Sequence, residues 1–266
     1  MPAMNEPNPF GAMLRDWRRR RRLSQLDLAA EAPMSQRHLS FLESGRAKPG
    51  RETVARLAEA LALTPRAASA LHLAAGFAPP APEAALDAPA LAGVRAAAEG
   101  MIEAAMPCPA LAVDRLWRLV AANDMARRLM ASADPALLRL PVDVLELSLR
   151  AEGLGRMILN WRDWRTHILR RLAKDAEAAG DEALLALRAR LETIPPPPGA
   201  RPPGRPDPEA VAIPLSLQTP LGRLDLLSAT TVFGTAAAPA AAELTIESFW
   251  PTGEKDRATL RRLAGA

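Results

Sequence analysis

The sequence predicts two folded domains: an all-α domain of five helices, followed by an α+β domain with an antiparallel sheet. Three observations support this prediction. Apolar residues recur at helical spacing up to residue 76, alternation with a period of two appears after residue 210, and proline-rich segments separate regions of different pattern. The length of 266 residues suits two ordinary domains, which we assign to residues 9–77 and 90–266 around a proline-rich linker at residues 78–89.

The first three helices are predicted from apolar stripes and from their caps. The first has apolar residues at helical spacing, with arginines elsewhere around the helix. A serine suited to N-capping precedes each of the next two, and a glycine able to adopt a left-handed conformation ends the third. The predicted helices are residues 10–22, 25–31 and 35–44, with Phe10, Leu14 and Trp17 facing inward, Ser24 and Ser35 as N-caps and Gly45 as terminator.

Two more helices complete the first domain. Residues 52–61 have an apolar stripe, and residues 65–75 begin with Pro65, which is tolerated in the first turn of a helix. Gly76 ends the fifth helix. The region is therefore wholly helical.

The second domain begins with short elements and continues with long helices. A helix over residues 91–106 precedes two short strands around Asp114 and Arg115, and another helix begins near Asp124. Two apolar stripes then predict two long helices, the first with Trp161, Trp164, Ile168 and Leu172, and the second with Leu184, Leu187, Leu191 and Ile194.

A proline-rich loop at residues 195–208 precedes the C-terminal strands. Alternation from Val211 to Leu217 predicts a strand that pairs with residues 223–233 as a hairpin. Another strand over residues 244–250 and a helix over 254–263 follow. Five strands with helices grouped between them indicate an α+β domain with an antiparallel sheet.

The excess positive charge lies in the first domain. Residues 1–80 contain 12 Lys and Arg against 7 Asp and Glu, whereas residues 81–266 contain 22 against 23. A basic domain attached to a nearly neutral one indicates that the first domain binds a polyanion.

The segment from Leu23 to Gly50 closely resembles the XRE, or lambda-repressor-like, helix-turn-helix family. The residues that match the family's spacing are Gln25, Ala29, Ser35, Leu39, Leu42, Glu43 and Gly45. The resemblance implies a recognition helix over residues 35–44 in the major groove of double-stranded DNA, with Gln36 and Arg37 on base edges. The DNA-binding residues that it implies are Gln25, Ser35, Gln36, Arg37, Ser40, Phe41, Arg46 and Lys48, of which Gln25, Arg46 and Lys48 would bind phosphate.

The sequence departs from this family at Pro33, where the family usually has glycine in the turn before the recognition helix. Proline cannot adopt a positive φ, so the turn must close differently. Alternatives to DNA contact remain for several residues. Arg18 to Arg22 could form a solvated face, Phe41 could belong to the core, and Glu43 could brace helix packing.

Residues 91–266 resemble the MmyB-like ligand-binding domain through the segments PALAVDRLWRLVAAN, NWRDWRTHILRRL, LLSATTVFGT and ELTIESFWP. The resemblance implies a PAS-like fold with an apolar pocket for a fatty-acyl or similar small molecule. The candidate ligand-binding residues are Trp117, Leu119, Trp161, Trp164, Phe233 and Phe249, with Arg162 and Arg165 as candidates for a carboxylate head group. Plain core packing is the alternative for the aromatic residues.

The residue pattern argues against catalysis and metal binding. The three histidines have no metal-ligand spacing, and the single cysteine, Cys108, has no identifiable base. We therefore expect no enzyme activity, no metal and no cofactor other than the possible acyl-like effector. No membrane-spanning or targeting segment is expected, which suits a cytoplasmic protein.

The function predicted from the sequence is that of a ligand-responsive transcriptional regulator that binds a palindromic operator as a homodimer. A palindrome is expected because one recognition helix covers too few base pairs to select a genomic site. The alternative is a constitutive DNA-binding protein whose second domain mediates only dimerisation or partner binding.

Overall fold

The structure is a computed structural model that describes residues 8–80, 86, 88–202, 213–234 and 238–265. The chain divides into two compact units, the first built mainly from Met1–Glu83 and the second mainly from the residues after it. The proline-rich segments predicted at residues 78–89 and 195–208, and the strand start at Val211, lie partly or wholly outside the described residues.

The first unit contains the five predicted helices. Their predicted inward faces form one hydrophobic core that includes Phe10, Leu14 and Leu71. Burial of such stripes is the main stabilising contribution to short helices, which are marginal in isolation. The helices are α1 (Pro9–Arg20), α2 (Gln25–Glu31), α3 (Gln36–Ser44), α4 (Arg51–Ala60) and α5 (Pro65–Ala74).

The turn between α2 and α3 closes through backbone hydrogen bonds on both sides of Pro33. The N–H of Ala32 donates to the carbonyl of Leu28 and that of Met34 donates to the carbonyl of Ala29, each at 2.9 Å. Positive φ values at described residues other than glycine occur only at positions 22, 62 and 117, so this turn uses none. α3 then begins where its predicted cap places it.

The second unit contains five strands and seven helices among the described residues. The strand order is β2-β1-β5-β4-β3, and every neighbouring pair is antiparallel, as the predicted fold class requires. The elements are α6 (Ala92–Ala104), β1 (Ala110–Val113), β2 (Leu119–Ala122), α7 (Asp124–Met130), α8 (Val144–Leu149), α9 (Trp161–Ala179), α10 (Glu182–Glu192), β3 (Leu215–Thr219), β4 (Gly222–Val232), α11 (Pro239–Ala242), β5 (Thr245–Pro251) and α12 (Glu254–Gly265).

The main core of the second unit lies between the sheet and the long helices. The predicted stripes of α9 and α10 are buried there together with Leu224 and Leu226 of β4. The short helix α8, which the sequence pattern did not predict, packs beside Gly153 and Gly155. A Cβ atom at Gly153 would lie 2.0 Å from the carbonyl oxygen of Leu147, so the chain needs glycine for this close approach.

The β1–β2 connection holds a tryptophan in an unusual conformation. Trp117 has a φ of 61°, in the left-handed region that favours glycine. Its N–H donates to the carbonyl of Asp114 at 3.0 Å, and the Asp114 carboxylate accepts from the N–H groups of Leu116 and Arg118. This turn fixes the Trp117 ring, which also lines the cavity described below.

Candidate DNA-binding surface and ligand cavity

α3 presents one buried and one exposed face. Leu39 and Leu42 are fully buried, whereas Gln36 and Arg37 are exposed to solvent. The Ser35 hydroxyl accepts a hydrogen bond from the N–H of His38 at 3.2 Å, which caps the helix as predicted. Gly45 follows with a φ of 77°, and its left-handed conformation ends the helix. The side chains near the N-terminus of α3 are therefore accessible to a binding partner.

Phe41 lies between two of the arginines expected to contact DNA. The guanidinium carbons of Arg37 and Arg46 lie 5.3 and 4.5 Å from the centre of its ring, within the range of cation–π contact. Phe41 and Ser40 are half-buried, and Lys48 is exposed. Phe41 thus lies at the surface and not in the hydrophobic core of this unit, and it holds two cationic groups beside the exposed face of α3.

Glu43 is the buried polar centre of this unit. Its side chain is only 2% exposed, and its carboxylate accepts hydrogen bonds from Arg18 Nε at 2.6 Å and from Gln25 Nε2 at 2.9 Å. Burial alone would raise the pKa of Glu43, but the hydrogen bonds from Arg18 and Gln25 and the charges of Arg18 and Arg15 hold that pKa below its ordinary value. Glu43 therefore braces α1, α2 and α3 together, which was the alternative role considered for it.

The position of Gln25 follows from the same contact. Gln25 was expected to bind phosphate from the N-terminus of α2, and its side-chain amide is held by Glu43 in this structure. Arg18 is likewise held, since its guanidinium also donates to the carbonyl of Leu23 at 2.9 Å. These two residues, through Glu43, fix the spacing of α1 and α2 relative to α3.

The second unit contains a cavity of about 100 Å³. Its wall is mainly aliphatic, with side chains from α7, α8, α9 and from β3 and β4, and it includes the aromatic rings of Trp117, Trp164 and Phe249. An apolar void with a few polar groups is the common form of a small-molecule site. The cavity lies between the inner face of the sheet and the helices that cover it.

The six apolar residues predicted to bind ligand are found in three environments. Trp117, Trp164 and Phe249 line the cavity. Trp161 is buried in the main core, where its Nε1 donates to the carbonyl of Leu149 at 2.9 Å, and Leu119 and Phe233 pack at the edges of hydrophobic clusters.

Neither arginine proposed for the head group is among the cavity-lining residues. Arg165 donates to the carbonyl of Glu192 at 2.7 Å, and its guanidinium lies 5.8 Å from the centre of the Trp161 ring. Arg162 is three positions earlier in α9, on a similar helical face. The arginine that lines the cavity is Arg171.

Arg171 forms a buried ion pair at the cavity wall. Its NH2 group donates to Glu247 Oε1 at 2.7 Å, and the Glu247 side chain is 4% exposed. Thr230 donates to the same carboxylate oxygen at 2.9 Å from the neighbouring strand. The Arg171 guanidinium also lies 4.6 Å from the centre of the Trp117 ring, so the strained turn and the ion pair are joined.

A second polar group is centred on Trp164. Its indole Nε1 donates to the Ser148 hydroxyl at 3.0 Å, and its ring stacks on the His167 imidazole with a centroid distance of 5.4 Å. Burial first, and then the positive charge of Arg171, lower the pKa of His167. His167 is therefore neutral near pH 7.

Sequence reasoning did not assign His167, Arg171 or Glu247 to the site. Trp164, His167, Ile168 and Arg171 have the i, i+3, i+4, i+7 spacing of one helical face, and this spacing could have identified His167 and Arg171 from Trp164. Glu247 and Phe249 are two residues apart in a strand, so their side chains point to the same face of the sheet. The packing of α9 against β5 brings Glu247 to Arg171, and no local pattern in the sequence indicates this contact.

The five-helix unit with its capped, half-exposed third helix defines a helix-turn-helix DNA-binding protein. A family model for a helix-turn-helix domain matches residues 9–71. A second model, described as MmyB-like transcription regulator ligand binding domain, matches residues 94–263, which is most of the chain. The chain therefore belongs to the family of MmyB-like transcription regulators with this ligand-binding domain, and it is a DNA-binding transcription regulator.

One solved structure is also similar in sequence. It is a high-resolution crystal structure of the restriction-modification controller protein C.AhdI from Aeromonas hydrophila, with 30% identity over 23% of this chain and 92% of that chain and a TM-score of 0.22. Comparison with curated proteins gives no match.

Both matched families are regulatory DNA-binding and ligand-binding domains and not enzymes. Within the described residues, no three or more His, Cys, Asp or Glu side chains are grouped so that they could hold a metal ion. No helix in the described part of the chain is long and apolar enough to cross a membrane.

Proposed function

We propose that this regulator binds a palindromic operator as a homodimer, and that a small hydrophobic, fatty-acyl-like molecule in the cavity changes its affinity for DNA. The observation that carries the proposal is the apolar cavity with aromatic and polar groups in its wall, in the same chain as a helix-turn-helix unit whose third helix has an exposed face. Regulation requires the ligand to bind the DNA-competent and DNA-incompetent states with different affinity.

Gln36 and Arg37 are proposed to read base edges. Both are exposed on α3, close to its capped N-terminus, and their side chains can pair bidentately with adenine and guanine respectively. Phe41 is proposed to contact a thymine methyl group, while Arg46 and Lys48 bind phosphate in the loop that follows. Ser35 and Ser40 would contact DNA from the same surface.

These roles are tested on an operator selected from random duplexes with the full chain. Arg37→Ala and Gln36→Ala should each lose about 1 to 3 kcal/mol of discrimination at a single base position. Arg46→Ala and Lys48→Ala should weaken all duplexes alike and lower the salt slope by about one. Wild-type selectivity in both α3 variants, measured by competition, would refute the recognition-helix assignment.

A homodimer is proposed because two symmetric copies of the recognition helix can select a genomic site, whereas one copy cannot. Half-sites should then lie about 10 base pairs apart or at a multiple of that spacing. Light scattering that showed a monomer both free and on operator DNA would rule the dimer out.

The cavity volume and wall support an apolar ligand of limited size. An apolar cavity of about 150 Å³ binds benzene, so a void of about 100 Å³ must widen to admit an acyl or alkyl chain, and a chain of eight carbons requires more widening than a short one. Each buried methylene contributes about 0.8 kcal/mol. Because Trp117 and Trp164 line the cavity, tryptophan fluorescence should report binding.

A second candidate function, assembly without a ligand, is favoured by one observation. Leu227 and Trp250 are directly paired across β4 and β5, and both side chains are exposed, at 38% and 46%. Exposed apolar patches commonly mark interaction surfaces. If acyl and alkyl compounds neither changed the fluorescence nor shifted operator affinity, this alternative would replace the ligand-responsive one.

A further inference from the structure

The charges at the cavity wall are already balanced. The titratable side chains among the described residues that line it are His167, Arg171 and Glu247. Arg171 is paired with Glu247 at 2.7 Å, and its Nε lies 3.9 Å from the carboxylate of Asp175. The wall therefore offers a ligand no unpaired positive charge.

The same wall has hydrogen-bonding groups that the protein leaves open. No described residue hydrogen-bonds to the ring nitrogens of His167, although its ring stacks on Trp164. The Ser148 hydroxyl accepts from Trp164, and no described acceptor takes its own proton. A neutral imidazole has one donor and one acceptor nitrogen, and a hydroxyl has one donor. Both residues thus have capacity for a polar but uncharged ligand atom.

Resting on the proposed function, we infer that the polar end of the ligand is uncharged: an amide, ester, lactone or alcohol on a short acyl or alkyl chain, hydrogen-bonded by His167 and Ser148. The chain lies against the aliphatic wall and the rings of Trp117 and Phe249. A free carboxylate is the excluded class.

A carboxylate is disfavoured for two physical reasons. Beside Glu247 it would place two negative charges close together in a site of low polarity, which opposes ionisation of both. To form an ion pair with Arg171, the ligand carboxylate would have to displace Glu247. The buried Glu247 carboxylate would then have no partner, which is costly in free energy. An amide or ester head needs only the open groups of His167 and Ser148.

The test compares head groups at constant chain length on the full chain. Octanamide, methyl octanoate and octanoate are titrated at pH 7.5, with tryptophan fluorescence for binding and anisotropy of the selected operator for response. Octanamide should bind at least about tenfold more tightly than octanoate. His167→Ala and Ser148→Ala should each weaken octanamide binding several-fold, whereas Thr166→Ala, an exposed neighbour on α9, should not change it.

Removal of the Glu247 charge gives a second, opposite test. Glu247→Gln removes the nearer of the two carboxylates around Arg171, the one in the cavity wall, so the affinity for octanoate should rise relative to that for octanamide by about tenfold or more. Circular dichroism verifies that the variant is folded, and if it is not, the comparison of head groups on the wild-type chain decides the inference by itself. A folded variant with an unchanged preference would overturn the charge-balance argument.

The outcomes separate this inference from the proposed function. If octanoate binds as tightly as octanamide and shifts operator affinity, the uncharged head group is wrong and the ligand-responsive regulator stands. If no compound of a four- to twelve-carbon series binds with any of these head groups, the proposed ligand response fails, and the inference fails with it.

Discussion

The two units of this regulator differ in how completely their buried polar groups are hydrogen-bonded. In the helix-turn-helix unit, Glu43 is surrounded by Arg18, Gln25 and Arg15, and its hydrogen bonds join three helices. In the ligand-binding unit, a polar group beside the cavity is only partly satisfied, since His167 stacks on Trp164 but has no hydrogen bond from a described residue. The first arrangement fixes the positions of α1, α2 and α3, and the second leaves hydrogen-bonding groups open at the cavity.

This difference follows from what each unit has to do. A domain that contacts the edges of DNA bases needs helices held at a constant spacing, because its contacts with DNA depend on helix position. A ligand site must instead keep polar groups and volume open until the ligand binds. The following changes test this contrast, from the largest expected effect to the smallest.

Removal of the Glu43 carboxylate should have the largest effect on stability. Glu43→Ala leaves the guanidinium of Arg18, which is 12% exposed, without its partner, and we expect a loss of about 3 kcal/mol in the first unit. The matched control is Glu52→Ala, whose exposed partner Arg56 lies at 3.8 Å and which should cost at most about 0.5 kcal/mol. Amide hydrogen exchange of α1 to α3 measures both, and equal losses would show that Glu43 is not the brace.

The pH dependence should follow the lowered pKa of Glu43. Because its folded-state pKa lies below the unfolded value near 4.3, its contribution is fully present above that value and is lost as the pH falls through the folded pKa. Wild type should therefore lose more stability than Glu43→Gln between pH 7 and pH 3, measured by urea unfolding. Parallel curves for the two proteins would contradict the assigned direction.

Glycine at the left-handed positions should have small and opposite effects in the two units. Ala62 has a φ of 47° and is exposed, so Ala62→Gly should stabilise the first unit by about 0.5 to 1 kcal/mol, whereas Ala55→Gly, at an exposed position inside α4, should cost about 1 kcal/mol. Trp117→Gly relieves similar strain but removes a ring from the cavity wall, and we expect net destabilisation and a weaker ligand response. A stabilised Trp117→Gly that kept the full response would remove Trp117 from the site.

Local sequence signals were sufficient for the first unit and for most strands. The capping serines Ser24 and Ser35 and the terminator Gly45 act within one helical turn of their positions, so their roles can be read from the sequence. Helix α8 was missed because six residues are too few for a periodic pattern, and its position depends on the close approach of Gly153.

The ligand site was harder to predict because its residues come from separate elements. The charge of Arg162 and Arg165 near Trp161 and Trp164 favours them in the sequence, but Arg171 lies about two turns further along α9, on the face towards the cavity. Its partner Glu247 is 76 positions away in the sequence, on β5, and the packing of α9 against the sheet brings the two side chains together.

The central claim, that the cavity controls DNA binding, is tested most directly by the Kd for the selected operator at fixed salt, with and without saturating octanamide. We predict a change of at least about fivefold, which should be lost in Leu217→Phe, where a ring is added to the cavity wall. An unchanged operator Kd while tryptophan fluorescence shows the cavity occupied would contradict the account.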